Sequence, residues 1–420
     1  MANRPLPLGS SIAIIGAGII GASAAFVLAE RGYRVTLIDR DEPGLTGPSW
    51  GNAGHVVGSG IFPLAEPGIG FTGLRMLADP DAPLKVPAEY LPAIMPWLWR
   101  FWRASYGDAY ETALKALISF NRAAVEESIA LFQRAGMPER IRHDPALYLY
   151  ESEASYRAAL PHWKKRQQVD LHSTHVDADE IARLEPDLAP IFTRGVISHE
   201  WAIVTDPYEV VLGYVEAARE RGVSVERGRV DAVTGRSGGV SVTVGGEARA
   251  FDAALIAAGV WSRELAQGLG EQLPVEAERG YNLTYPAPKA TVRRPLVLAD
   301  RGVVVTALKP GLRLGGWTEL GGTRMPPNPS RWAKMREITD TVLPGLEGEP
   351  ATEWMGHRPS MPDSVPVVSR SGKHPAIFYA VGHGHYGLSW SAKTARVVGE
   401  LIGDSADQRY AALSIRRFGR

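Results

Sequence analysis

The run Gly16-Ala17-Gly18-Ile19-Ile20-Gly21 joins two segments of different periodicity, and that junction restricts the fold more than any other stretch of the chain. Ser11–Ile15 is a short apolar run rich in isoleucine and reads as a buried strand. Ala22–Glu30 reads as a helix closed by Gly32, and Tyr33–Ile38 as a second strand ending at Asp39. Together they form a βαβ opening. The glycines follow the pattern GxGxxG, which permits in turn a tight bend, close approach of a pyrophosphate, and close helix–strand packing. The free N–H groups and dipole at the helix N-terminus favour an anion there. Asp39 stands where a carboxylate accepts hydrogen bonds from ribose hydroxyls and disfavours a 2′-phosphate. A dinucleotide-binding domain is therefore expected. The motif alone does not separate FAD from NAD.

At 420 residues the chain exceeds one typical core, so two domains are expected. The 46 basic and 46 acidic side chains cancel, which gives no support to nucleic-acid binding. The absence of cysteine excludes disulfides, thiolate metal sites, a cluster held by this chain and a thioether-linked cofactor. The pairs His172/His175 and His383/His385 lack carboxylate or cysteine partners at recognisable spacing, so no metal site is expected. No apolar run is long enough to span a membrane, and "MANRPLPLGS" lacks a signal-peptide core. The expected location is the cytoplasm or its membrane surface.

From Ile61 prolines at 63, 67, 80, 83, 87, 92 and 96 interrupt the regularity, and an aromatic cluster, "PWLWRFWRASY", occupies Pro96–Tyr106. Leu114, Leu117, Ile118, Val125, Ile129 and Phe132 fall on one face of a single expected helix that Gly136 stops. Asp206-Pro207 reads as an N-cap with proline at the first helical position. The chain then returns to strands at "VSVE", Val240–Val244 and "FDAALIAAGVWS". Gly280–Tyr285, Val303–Ala307 and Leu312–Gly316 are strand-like and suit a second domain. "IFYAV", a glycine-rich loop and a helix over Ser391–Ile402 follow.

"GLTGPSWGNAGHV", after Asp39, is where the chain resembles the D-amino acid oxidase superfamily of FAD-dependent oxidoreductases, closest to the bacterial D-amino acid dehydrogenases. "RLEPDLAP", "TDPYEVV", "AAGVWS", "ERGYNLTY", "LRLGGWTELGG", "MGHRPSMPDSVPVV" and "AVGHGHYGLSW" resemble family segments in the same order. The resemblance implies an α/β plus α+β fold: a Rossmann-type FAD-binding domain (1–60, 170–265, 345–420) and an interleaved substrate-binding domain (61–169, 266–344) on a mostly antiparallel sheet. It assigns FAD contacts to Gly16, Gly18, Ile19, Ile20, Gly21, Asp39, Arg40, Ser49, Asn52, Ala53 and Gly54. Further contacts fall on Val230, Ala258, Gly259, Trp261, Gly382, His383, Gly384, Tyr386, Gly387, Leu388 and Ser389. Noncovalent binding is implied, because Gly51 stands where one branch tethers flavin through histidine.

The resemblance also implies a reaction. Arg358 would pair with the substrate carboxylate, Tyr281 would offer a hydroxyl to the same group or shape the pocket, and the carbonyl of Gly384 or a neighbour would accept an amine N–H. His385 and His357 depart from the commonest pattern and resemble the branch acting on cyclic D-imino acids such as hydroxy-D-proline. Hydride transfer from the α-carbon to flavin N5 would give an imino acid and then a 2-oxo acid. The implied partners are a small amino or imino acid and an electron acceptor: quinone, dye or O2. A glycine, sarcosine or opine oxidase, and a flavin-binding subunit of a hetero-oligomeric oxidase, stand as alternatives. The cluster Trp97, Trp99, Phe101 and Trp102 has three readings: core or lid, peripheral membrane contact, or partner surface.

Overall fold

The computed structural model describes residues 5–69, 84–346, 348–404 and 407–419. Prolines 80 and 83 lie outside them. The first sheet has six strands in the order Ser224–Arg227, Arg34–Asp39, Ser11–Ile15, Ala253–Ile256, Ile377–Val381, Val367–Arg370. All neighbours pair in parallel except the last two strands. The strand Ser11–Ile15 is covered on both faces, which explains its unbroken apolar sequence. Ile12 and Ile14 join a core with the helices Ile19–Glu30, Pro207–Arg219 and Gly387–Gly403. Ala13 and Ile15 face a second core, against the three-stranded sheet Val230–Arg236, Gly239–Val244, Glu247–Phe251 and the helix Ser262–Gly268.

The helix Ile19–Glu30 is buried nearly all round, so it is built from small residues such as Ala22, Ser23, Ala24 and Ala25 rather than an amphipathic pattern. It begins at Ile19, earlier than the run from Ala22 suggests. Gly16 takes a φ of 107°, and a Cβ there would lie 2.5 Å from the Ala257 carbonyl oxygen. A Cβ on Gly21 would overlap the carbonyl oxygen of Gly16. The Asp206 side chain caps the helix Pro207–Arg219 by accepting from the Tyr208 amide at 2.8 Å.

The second sheet has nine strands. Its main path runs Thr352–Ser360, Glu276–Tyr285, Gly311–Leu320, Val303–Leu308, Leu296–Leu298, Ala146–Tyr150, Arg194–Ser198, Ser173–Asp177, with Leu84–Lys85 paired to Gly311–Leu320. Most of its pairings are antiparallel. The helix Pro329–Val342 covers one face through Trp332, Met335, Ile338 and Val342. A small sheet of His55–Val57, Trp201–Val204 and Ile141–His143 lies where the two halves meet.

The expected division of the chain differs in detail from these sheets. Ser173–Asp177, Arg194–Ser198 and Thr352–Ser360, expected with the FAD-binding segments, pair in the nine-stranded sheet. Conversely, Leu117, Phe120, Val125 and Phe132, expected in the substrate half, join the core of the first sheet. The single helix expected across Leu114–Phe132 is two, Gly107–Asn121 and Ala124–Arg134, broken where Ala123 takes a φ of 58°. The contact that suits the break comes from far away in sequence: Lys393 donates to the carbonyls of Ser119 at 3.0 Å and Arg122 at 2.9 Å. Those carbonyls are thereby satisfied at a helix end.

The aromatic cluster lies on the helix Leu91–Ala104. Trp97 is buried, stacks on Phe101 at 5.2 Å and donates to the Pro274 carbonyl at 3.0 Å. Trp99 and Trp102 stack on each other at 5.0 Å and are exposed. No helix among the described residues is long and apolar enough to cross a membrane.

Lys393 holds the broken helix pair to the C-terminal helix, and replacing it leaves two carbonyls without their donor. Lys393→Met is expected to lower the urea unfolding midpoint, with a loss of about 2 kcal/mol. An unchanged midpoint would show that the break does not depend on this contact.

Candidate active site

A cavity of about 770 Å³ runs from the carboxyl end of the first strand, between the two sheets, to the nine-stranded sheet. Gly16, Gly18, Ile19 and Ile20 line one end of it. The Asp39 carboxylate is fixed there by two backbone amides, accepting from Ala17 at 2.6 Å and from Asp41 at 3.0 Å. The Arg40 guanidinium lies 3.8 Å from the Trp261 ring centroid, and both side chains line the cavity. Val230, Ala258 and Gly259 complete that wall. Ser49 Oγ accepts from the Ile19 amide at 3.0 Å, so the loop after Asp39 is tied to the first turn of the helix.

Asn52 and Ala53 line the middle of the cavity beside Gly51. Asn282 donates to the Gly51 carbonyl at 2.7 Å. Its buried Oδ1 has no hydrogen-bond partner among the described residues. A buried acceptor left open beside a cavity fits a ligand carrying its own N–H donors.

The glycine-rich loop forms the opposite wall through His383, Gly384, His385, Tyr386, Gly387 and Leu388. Gly384 takes a φ of 52°, and the helix Gly387–Gly403 starts soon after it. His383 is buried and bonds Thr394 Oγ1 at 2.9 Å, and burial pushes its pKa down to about 3. It is thus a neutral strut between loop and helix. His55 behaves alike: burial pushes it to about 3, its Nε2 meets Thr306 Oγ1, and its ring sits edge-on to Trp201 at 4.9 Å.

Four expected cofactor residues do not line the cavity. Gly21 serves helix–strand packing, Gly54 lies against Leu308, and Gly382 lies against Met361. Ser389 accepts from the Val57 amide at 2.9 Å and donates to the His55 carbonyl at 3.3 Å, fastening the helix to the small sheet. They shape the cavity from behind.

At the far end, Arg358 reaches in from Thr352–Ser360, its guanidinium lying over Gly280, where any Cβ would overlap it. Arg358 Nη1 donates to Glu278 Oε1 at 3.1 Å and to the Trp317 carbonyl at 3.4 Å. Glu278 also accepts from Thr318 Oγ1 at 3.0 Å and Ser360 Oγ at 2.5 Å. Burial pushes the Glu278 carboxyl up, but Arg358, His385 and the two hydroxyl donors outweigh it, and the group titrates below its ordinary range. His385 lines the cavity beside this pair. Its pKa is lowered, by burial first; Glu278 opposes that shift and Arg358 reinforces it. Tyr148, Trp201, Tyr386, Val297 and Val304 form an aromatic and aliphatic wall around the same end.

Tyr281 borders the cavity, where shaping the pocket was one of its two expected roles, but its hydroxyl is bound elsewhere. Its hydroxyl donates to Glu319 Oε1 at 3.0 Å and accepts from the Asn328 amide at 3.1 Å, while its ring packs in the core of the second sheet against Trp332. Glu319 is also paired with the buried Arg279 at 2.7 Å. The hydroxyl is therefore committed to a structural network rather than to a ligand. Glu278 was absent from the expected site. "ERGYN" contains it, but only its cross-strand partner Arg358 reveals the pairing. Among the described residues no group of three or more His, Asp or Glu side chains could hold a metal ion.

Comparison with known proteins bears on the family and the fold. The family described as FAD dependent oxidoreductase matches residues 11–401. The chain is 35% identical to a D-amino-acid oxidase of Bradyrhizobium diazoefficiens, over 98% of this chain and 100% of that protein. It is 27% identical to a D-amino acid dehydrogenase of Rhizobium johnstonii, over 97% and 100% of the two chains. Among solved structures, glycine oxidase from Geobacillus kaustophilus superposes with a TM-score of 0.73 at 20% identity, covering 97% of this chain and 98% of that one. L-Proline dehydrogenase from P. horikoshii gives 0.75 at 17% identity, covering 99% of each chain. Those two likenesses concern the fold. The family match spans nearly the whole chain and includes both walls of the cavity, and the protein belongs to the FAD-dependent oxidoreductases.

Proposed function

We propose that the protein oxidises a small D-amino acid or cyclic D-imino acid at the carbon bearing nitrogen, giving from the first an imino acid that water converts to a 2-oxo acid and ammonia, and from the second a cyclic imine. The observation that carries this reading is Arg358, a guanidinium lining a cavity walled by Tyr148, Trp201 and Tyr386, at the far end from the GxGxxG turn. A planar guanidinium suits a carboxylate and fixes its orientation. The D hand is supported by the relative named D-amino-acid oxidase at 35% identity.

FAD, when bound, supplies the hydride acceptor. Residues suited to hold it are Asp39 at the ribose, Gly16 to Ile20 at the pyrophosphate, and Asn52, Ala53 and the Gly384–Leu388 turn at the ring. With no cysteine in the chain and glycine at position 51, retention is noncovalent. Acid precipitation is expected to leave free FAD in the supernatant; a yellow pellet would contradict this.

The chain's own contribution is binding, orientation and exclusion of water. Arg358 holds the carboxylate, and the aromatic wall keeps the amine end dry. His385 is neutral at pH 7 and is the candidate acceptor of the amine proton: the N–H bond breaks and a ring nitrogen gains the hydrogen. The reduced enzyme passes electrons to O2, a quinone or a dye, and peroxide measurement separates the first from the others. Membrane or partner-subunit contact would rest on the exposed Trp99–Trp102 stack.

Anaerobic mixing with D-proline, L-proline, D-alanine and glycine tests the reaction, with bleaching of the flavin band expected from the D-substrates. Bleaching by glycine or L-proline alone would overturn the reading. Arg358→Met is expected to lower kcat/KM about 10³-fold, chiefly through KM, with Arg358→Lys in between. His385→Gln is expected to slow flavin reduction about 10²-fold at pH 7. That loss should shrink as pH rises through the substrate amine's own pKa, where the free amine needs no acceptor; a pH-independent loss would assign His385 to packing.

A further inference from the structure

Arg358 does not meet its substrate as a free cation. Glu278 and Arg358 are directly paired across neighbouring antiparallel strands, so their side chains share one face of the sheet. Glu278 is 3% exposed, and its two oxygens take three bonds, from Arg358, Thr318 and Ser360. On Arg358, Nη1 is committed to Glu278 and the Trp317 carbonyl. That leaves the Nε–Nη2 edge to receive a carboxylate, a geometry in which two parallel bonds still form. Gly280 supplies the flat floor on which the guanidinium lies.

The same carboxylate is tied to the glycine-rich loop. Ser360, whose hydroxyl donates to Glu278, forms a backbone bridge with His383. Its Oγ lies 3.4 Å from where a Cβ on Gly384 would be. Glu278 thus sits between the loop and the anchoring arginine and sets the separation of the two. It also offsets the charge of Arg358. A ligand that offers only a carboxylate meets attraction from Arg358 and repulsion from Glu278 at close range in a water-poor cavity. A ligand that brings an amine as well meets the Glu278 carboxylate favourably.

We propose that Glu278 is a positioning and specificity-determining residue, which fixes the Nε–Nη2 edge of Arg358 toward the substrate and selects amino acids over simple carboxylic acids. The proposal rests on the amino-acid reading of the site. It accounts for a buried acid beside the very cation that the reaction uses, a placement that weakens anion binding as such. Breaking such a pair leaves a buried charge without its partner, so the isosteric amide is the informative change.

The test compares isobutyrate with 2-aminoisobutyrate, which differ only in the amine and carry no hydrogen that the reaction can remove from a carbon bearing nitrogen. Binding to the FAD-loaded protein is read from the perturbed flavin spectrum. Glu278→Gln is expected to tighten isobutyrate binding about tenfold, to change 2-aminoisobutyrate binding by no more than about threefold, and to slow flavin reduction by D-substrates. If both ligands weaken equally, or their ratio is unchanged, Glu278 is a structural residue and the proposal falls. Should that variant not fold, the double variant Thr318→Val, Ser360→Ala keeps the charge but removes two of its supports. It should slow flavin reduction while leaving the ligand ratio as in the parent; a shifted ratio would overturn the charge argument. Failure of the parent to be bleached by any amino acid would sink the functional reading instead, which the two unreactive ligands distinguish.

Discussion

Among the described residues the glycine with least room for a side chain is Gly21, where a Cβ would overlap the carbonyl oxygen of Gly16, and the rest of the cofactor end depends on this approach. Only without a side chain at position 21 can the helix Ile19–Glu30 lie this near the strand that precedes it. That proximity brings the helix N-terminus to the carboxyl edge of the parallel sheet, where Asp39 also ends its strand. It further requires small side chains along the helix, since the helices Pro207–Arg219 and Gly387–Gly403 pack on its outer side. The last of these carries the glycine-rich loop. One steric constraint near the start of the chain therefore fixes where a loop near its end stands.

Charge is arranged differently at the two ends of the cavity. At the nucleotide end the Asp39 carboxylate is held by backbone amides, which orient it without cancelling it. At the far end strong charges are paired: Arg358 with Glu278, and Arg279 with Glu319 behind it. The histidines His383 and His55, around the loop, are kept neutral by burial at pKa values near 3. Across the physiological range these two rings do not change charge.

Local sequence carried the parts of this design that depend on neighbours in the chain. The βαβ opening, the Asp206 cap and the glycine-rich turn are all written in contiguous residues and are present in the structure, with the two helices starting earlier than their apolar runs suggest, at Ile19 rather than Ala22 and at Gly387 rather than Ser391. Features set by distant partners were illegible. The break at Ala123 is met by Lys393, and nothing between Leu114 and Phe132 announces it. Strands such as Ser173–Asp177 and Thr352–Ser360 carry no pattern that favours one sheet over the other, and only pairing assigns them.

Tyr281 and Glu278 make the same point at the scale of a single strand. A motif match identifies both as part of "ERGYN" but carries no information about which face each residue occupies. In Glu276–Tyr285 the pairing with Thr352–Ser360 puts Glu278 opposite Arg358, while the irregularity between Arg279 and Tyr281 accompanies the turn of the tyrosine toward Glu319. Because successive strand residues face opposite ways, a shift of one residue in that register would move Glu278 away from Arg358 and bury an acid on the side of Trp332. The pairing of Glu278 with Arg358 is thus set by strand register, between segments far apart in sequence, and not by the identity of the residues alone.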